Sequence, residues 1–305
     1  MNPRYALMTS AYNEADFIEE TLGSVARQTV APVRYVVVSD GSTDETDAIA
    51  RRYAERFDFI EFHRVESEGE RNFARKVRAL RLACEKLAPL DFDFIGSLDA
   101  DVSFEPDYFT RLIAKFATRP KLGIASGDII EFIGGKRRPR INSPHSAPGA
   151  IQLFRREVFD AIGGYPMLKT GGIDAAAQIA ARMKGWETQS FRDLPVLHHR
   201  RTGSGAGGAL RSAYRNGRKE YFLGHHPLYM AVKCVRRASE RPWIARSVVY
   251  GAGYIAAMCG GEKRELPAEF LEHFKQEQFD RLRSMLRPWR SRASRDVGLV
   301  GKEEA

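Results

Sequence analysis

The chain has 305 residues, 43% hydrophobic and 29% charged, with a net charge of +9. That balance excludes a disordered or fibrous chain and suffices for one large α/β domain with an appendage. Three cysteines (Cys84, Cys234, Cys259) without a CxxC pair predict a reducing compartment and no zinc knuckle.

In chain order, Tyr5 to Thr9 is a short apolar run. Asp16 to Gln28 has helical spacing, with Phe17, Ile18, Leu22 and Val25 on one side. Tyr35 to Val38 reads as a strand and Asp44 to Phe57 as a helix, with Ser42 or Thr43 as its N-cap. Phe59 to Val65 reads as a strand, Glu70 to Leu87 as a helix, and Phe92 to Leu98 as a strand. This alternation predicts right-handed βαβ units and a mostly parallel, Rossmann-like sheet. After Asp101 the pattern changes. A strand is predicted at 123–133, ending in a tight turn at Gly134-Gly135. Short elements follow at Ile151 to Phe154 (strand) and Glu157 to Ile162 (helix), then a loop at Gly163-Gly164-Tyr165-Pro166. Asp174 to Lys184 reads as a helix, and Thr188 to His198 as one or two short strands. From Ala206 to near Arg287 the pattern is helical, with breaks at His226-Pro227, Arg241-Pro242 and Gly260-Gly261. The expected domains are therefore 1–205 (halves 1–101 and 102–205), a helical region 206–290, and a frayed polar tail 291–305. The N-terminus lacks a charged segment followed by an apolar one, which predicts no signal peptide. The longest apolar stretch, 247–259, is shorter than the roughly 20 residues that cross a bilayer.

Ligands of parallel α/β sheets bind at the carboxyl ends of the strands. Asn13 and Glu14 follow the first strand, Asp40, Gly41 and Ser42 the second, and Asp99 and Asp101 the fourth. All three groups are expected on one sheet edge. A carboxylate at Asp40 can accept from a base N–H or a ribose hydroxyl. The pair Asp99-Ala100-Asp101 can place one carboxylate on a hard cation such as Mn²⁺ or Mg²⁺ and aim the other at a sugar hydroxyl. Each also has a plainer reading, as a helix cap or an acidic turn.

Ala11-Tyr12-Asn13-Glu14, Ser39-Asp40-Gly41-Ser42-Thr43-Asp44 and Asp99-Ala100-Asp101 together resemble the family 2 inverting glycosyltransferases of the GT-A fold, over about residues 4 to 200. The resemblance implies a fold that binds nucleoside-diphosphate sugars and an enzyme of the hexosyltransferase type. It implies that Tyr12, Glu14 and Asp40 contact base and ribose, that Asp99 lies against ribose or donor sugar, and that Asp101 binds Mn²⁺ or Mg²⁺. Glu70-Arg71-Asn72 resembles a segment near the diphosphate, which makes Arg71 a candidate. The family carries an acidic residue, often as Glu-Asp, at the start of a helix behind its glycine loop. Here Ile173-Asp174 stands in that place, so Asp174 is the expected base that takes the acceptor hydroxyl's proton. In His198-His199-Arg200-Arg201, one histidine, His198 before His199, is the expected further metal ligand. Arg200 and Arg201 would neutralise the leaving diphosphate.

Basic residues crowd Lys136 to Arg140, Arg200 to Lys219, Lys233 to Arg246 and Arg281 to Arg295. Such clusters point to an anionic partner: phosphates, nucleic acid or a membrane. Nucleic acid fits poorly, because acidic groups gathered at one sheet edge would repel its phosphates. A nucleotidyltransferase would carry a glycine-rich loop after strand one, which AYNEADF lacks. A catalytically inactive family member that binds nucleotide sugar or serves as a membrane scaffold is the alternative. From Arg211 to Met258 arginines interleave with Tyr214, Tyr221, Phe222, Tyr229 and Trp243, a composition suited to an anionic membrane surface or to a packed helical cap. That stretch is similar to bacterial exopolysaccharide-type members of the family. The similarity implies a UDP- or GDP-sugar donor, a polyprenyl-linked saccharide acceptor in polysaccharide biosynthesis, and a cytoplasmic location at the inner membrane face.

Overall fold

The structure, a computed structural model, describes residues 3–66, 73–133, 136–140, 145–200, 208–238 and 243–296. Two compact units divide the chain, Met1–Ser204 and Gly205–Ala305.

The first unit begins with the expected alternation: β1 (Tyr5–Ala11), α1 (Ile18–Ala26), β2 (Arg34–Asp40), α2 (Thr46–Arg56), β3 (Ile60–Val65), α3 (Phe73–Leu87) and β4 (Phe94–Leu98). β5 (Val102–Phe104), α4 (Tyr108–Ala117), β6 (Leu122–Ile133), β7 (Lys136–Pro139), β8 (Ile151–Arg155), α5 (Arg156–Ala161), α6 (Ile173–Met183) and β9 (Glu187–His198) follow. One sheet runs β3-β2-β1-β4-β8-β6-β9-β5, with β7 on β6. β1 to β4 pair in parallel, and β8 lies antiparallel to both β4 and β6. β1, β2 and β4 are buried along nearly their whole length. Their β-branched and aliphatic runs therefore lack a polar face, as a sheet covered on both sides requires.

β5, α4 and β7 are additions to the predicted set. The helix is nevertheless legible in principle, since Tyr108, Phe109, Leu112, Ile113 and Phe116 form its buried stripe. β9 is one twelve-residue strand, whose register against β6 jumps between Gly127↔Phe191 and Asp128↔Pro195. That irregularity lets β9 continue to His198, which pairs with Val102 just beyond the Asp99-Ala100-Asp101 turn.

The second unit holds α7 (Gly208–Leu223), α8 (Pro227–Arg237), α9 (Trp243–Cys259) and α10 (Ala268–Asp296). Pro227 opens α8 at its first turn, and His226 caps it by accepting a bond from the Leu228 N–H at 3.2 Å. The expected break at Arg241-Pro242 lies outside the described residues. α10 continues to Asp296, past the predicted end near Arg287. α7 and α9 cross backbone to backbone: a Cβ on Gly217 would lie 1.9 Å from the Tyr250 carbonyl oxygen, and one on Gly253 would lie 2.1 Å from that of Tyr214.

Beside this crossing sits a buried ionic cluster. Glu220 accepts from the Tyr250 hydroxyl at 2.6 Å, and its carboxylate lies 2.8 Å from both Lys233 Nζ and His225 Nδ1. Burial opposes the Glu220 carboxylate, but His225 and Lys233 more than offset it and hold it well below its usual range. Burial pushes His225 and Lys233 down. For all three groups the folded chain then binds fewer protons than the unfolded chain, so stability rises with pH and falls on acidification. Lys233 contributes to the loss below about 10.4, where unfolded lysine charges; His225 adds to it below about 6.5 and Glu220 below about 4.3. Glu220→Gln should cost about 3–5 kcal/mol at pH 7.5, as removing one member of a buried pair does. Thermal melts from pH 7.5 to 4.5 check this: the variant should melt lower and lose stability more steeply on acidification, because Glu220 holds His225 up and its removal leaves that histidine depressed further. Parallel profiles would contradict it.

Candidate functional site

The loop after β1 is built by the loop after β2. Asn13 adopts φ 51°, a left-handed conformation that asparagine tolerates better than most residues. Its backbone N–H donates to Ser42 Oγ (3.1 Å), and its Oδ1 accepts from the Thr43 N–H (2.8 Å). The N–H groups of Glu14 and Ala15 donate to Thr46 Oγ1 (2.7 Å) and Asp44 Oδ2 (3.1 Å). This corrects the expected N-cap at Ser42 or Thr43: α2 begins at Thr46, Glu45 occupies the cap, and no side chain caps it. The polar run after Asp40 is committed to the neighbouring loop instead, and so fixes where Tyr12 and Glu14 stand.

Asp40 is buried at the end of β2. Its Oδ2 accepts from Arg75 Nε at 2.8 Å and its carbonyl from Arg75 Nη2 at 3.1 Å. The same guanidinium lies 5.9 Å from the centre of the Tyr12 ring. Lys76 Nζ meets Asp99 Oδ1 at 2.5 Å. Burial lowers the Lys76 ammonium, but Asp99, Asp174 and Asp101 all act on it and the net shift is upward. Neither Arg75 nor Lys76 was among the residues expected from the sequence. They sit in the first turn of α3, where a basic pair is indistinguishable by pattern from a solvated helix face.

Asp101 is buried, and His198 Nε2 lies 3.3 Å from its Oδ1. The two groups shift toward their charged forms. Burial opposes Asp101, but His198, Arg200 and Lys76 hold its carboxyl below the usual range. Burial opposes His198 too, but Asp101, Asp99 and Glu131 raise it. His199 turns away from this cluster: its Nε2 is 2.8 Å from Ser103 Oγ and its ring stacks on Phe17. Arg200 Nη2 donates to Glu14 Oε2 at 2.6 Å, while its Nε lies 4.0 Å from Asp101 Oδ2. Loop one is thus tied to the end of β9. Arg71 and Arg201 lie outside the described residues.

Asp99, Asp101 and His198 offer oxygen and nitrogen ligand atoms within 4.8 Å of one another. Asp101 Oδ1 is buried, and apart from its 3.3 Å ion pair with His198 it accepts no well-formed hydrogen bond, which leaves acceptor capacity that a cation would satisfy. The donor set of two carboxylates and an imidazole suits Mn²⁺ better than Mg²⁺. The residues present therefore fit a divalent cation.

Asp174 is not the cap of its helix. Gly172 caps α6 with φ 82°, and Asp174 stands one residue into the first turn. Space for it comes from Gly149, just before β8: a Cβ there would lie 2.7 Å from both Cβ and Oδ2 of Asp174. Gly149→Ala is therefore expected to displace Asp174. On the expectation from the resemblance that Asp174 is the base, sugar transfer should fall by about 10²-fold, the usual result of a misplacement near 1 Å, with nucleotide affinity unchanged. Kinetics and calorimetry on the same preparation check it; full activity in the variant would refute the placement.

A family model described as Glycosyl transferase family 2 matches residues 7–176. Poly-beta-1,6-N-acetyl-D-glucosamine synthase of Staphylococcus aureus is 30% identical over 147 residues, which are 48% of this chain and 31% of that protein. The Staphylococcus epidermidis protein of the same name is 29% identical over 149 residues, 49% of this chain and 32% of that one. The chain thus spans about a third of the length of these relatives. Among solved structures, mannosyltransferase PcManGT from Pyrobaculum calidifontis, in complex with GDP-Man and Mn²⁺, aligns with TM-score 0.55 and 21% identity, over 96% of this chain and 84% of that one. S. aureus TarS 1-349 in complex with UDP-GlcNAc aligns with TM-score 0.51 and 14% identity, over 88% and 78%. At these identities the likeness shows the fold, which is GT-A.

Proposed function

This chain belongs to glycosyl transferase family 2, and on that premise we propose that it moves a sugar from a UDP- or GDP-type nucleoside-diphosphate donor to an acceptor hydroxyl, with inversion at the anomeric carbon. The observation that carries the reading is the meeting of Asp99, Asp101 and His198 at the carboxyl edge of the sheet, with Lys76 under the combined influence of Asp99, Asp101 and Asp174. Tyr12, Glu14 and Asp40 line the nucleotide side, with Arg75 fixing the Asp40 carboxylate. Asp101 and His198 would hold Mn²⁺ or Mg²⁺, Asp99 lying against ribose or sugar. When bound, the cation supplies positive charge for the departing diphosphate. Arg200 and Lys76 bring further positive charge to that side of the site, joined by Arg71 and Arg201 in this proposal. Asp174 accepts the proton of the acceptor hydroxyl as its oxygen attacks.

For the acceptor we propose a saccharide carried on a polyprenyl lipid in bacterial polysaccharide synthesis, at the inner face of the cytoplasmic membrane. The name of the staphylococcal relatives supports a polysaccharide product. The basic character of the helical region supports an anionic surface. No helix among the described residues is long and apolar enough to cross a membrane. A thermal-shift screen of UDP- and GDP-sugars with Mn²⁺ tests the donor reading. One donor should raise the melting temperature above the shift given by Mn²⁺ alone, as binding to the folded state requires. A flat response across the panel would refute it.

A further inference from the structure

The outward face of α9 is apolar without interruption. Ile244, Val248 and Ile255 are 66%, 62% and 55% exposed. At about 100° per residue these three fall within roughly 40° of one another, and Ala245, Ala252, Ala256 and Cys259 fill the adjoining arc. From Ser247 to Gly261 there is no charged residue, in a chain that is 29% charged. The opposite side of the helix is already used: Ser247, Tyr250, Gly253, Tyr254 and Ala257 are buried. The exposed apolar arc is therefore a second face, not the margin of the packed one.

Composition alone assigns an interfacial role to the aromatic residues. The packing removes most of them. Phe222 is buried, Tyr221 packs edge-on against Tyr254, and Tyr229 stacks on His225. Tyr214 remains partly exposed, one turn from exposed Leu210 on α7. What the unit presents outward is the aliphatic face of α9.

The segment that carries it is cationic. Between Gly208 and Cys259 stand nine Lys or Arg against two Glu, and one of those two, Glu220, is buried. Arg211 and Arg215 on α7 and Arg236 on α8 are exposed. An apolar helical stripe on a segment of net positive charge matches the chemistry of an anionic lipid surface. A second copy fits less well, because two-fold pairing through α9 would bring two copies of the same cationic segment together. At 17 residues α9 is about 25 Å long, shorter than a hydrocarbon core of about 30 Å, so it suits lying in the interface rather than crossing it.

We infer that α9 docks the chain on anionic bilayers by inserting Ile244, Val248 and Ile255. This names the contact behind the membrane location proposed above, but it does not depend on sugar transfer.

Flotation of the full chain with vesicles tests it. The chain should float with phosphatidylcholine vesicles containing phosphatidylglycerol at low salt. It should float poorly with phosphatidylcholine alone, and binding should weaken as salt rises. Val248→Asp with Ile255→Asp should reduce the bound fraction at least about tenfold, since two buried aliphatic side chains are lost. Ile255→Trp should hold or strengthen binding, which a folding defect cannot mimic. Equal flotation of the double variant and the unsubstituted chain would overturn the inference, as would no flotation of either. Light scattering that finds a dimer split by the double substitution would also overturn it, by assigning the face to a second copy. Binding of UDP or GDP without vesicles is measured in parallel, so failure of docking and failure of the transferase reading are told apart.

Discussion

Asp174→Asn is expected to lower sugar transfer by about 10²- to 10⁴-fold, the range over which a positioned base contributes, while affinity for the nucleoside diphosphate stays within about twofold. Asparagine keeps the size of the side chain and its place in the first turn of α6, and it removes the carboxylate proposed as the proton acceptor. Because Gly172 rather than Asp174 caps the helix, the substitution costs no cap bond, and fold stability should hold. The carboxylate lies against Gly149 and contributes to the negative field around Lys76. That location joins it to the donor side of the site without making it part of the nucleotide's own binding surface. The kinetic signature is a fall in kcat with little change in donor KM. Turnover at the unsubstituted rate would place the base elsewhere.

Asp101→Ala is expected to remove the metal dependence of nucleotide binding. Affinity in Mn²⁺ should fall by more than about 100-fold, because even groups one step removed from a metal cost about 10- to 100-fold when lost. In chelator, variant and unsubstituted chain should bind alike. The variant also loses the 3.3 Å ion pair between Asp101 and His198, and leaving one member of a buried pair alone is destabilising. Melting without metal should therefore fall, and binding is compared well below the melting temperature of the variant. Calorimetry with UDP and GDP, in Mn²⁺ and in chelator, separates the two effects.

The sheet edge was legible because strand and helix alternate cleanly up to Leu98, and the carboxyl ends of parallel strands place Glu14, Asp40, Asp99 and Asp101 together. What was not legible came from packing across long sequence separation. Arg75 and Lys76 reach Asp40 and Asp99 over separations of 35 and 23 residues, and nothing in a basic helical turn says which acid it will meet. The choice between His198 and His199 depended on where β9 ends: His198, its last residue, turns to Asp101, and His199, just past the strand, turns to Ser103. Ser42 or Thr43 is the cap the sequence predicts, because such residues usually cap helices. Here the neighbouring loop's free N–H groups took them first. On α9 the composition was readable, but the division into a packed and an open face required the glycine crossing with α7.

The most direct measurement is titration of UDP and GDP into the unsubstituted chain by calorimetry, with Mn²⁺ or Mg²⁺ present and then chelated. Saturable binding of one nucleoside diphosphate that strengthens with the cation is the expected result. Binding of neither, with either cation, would contradict a nucleotide-sugar site at the edge formed by Asp40, Asp99, Asp101 and His198.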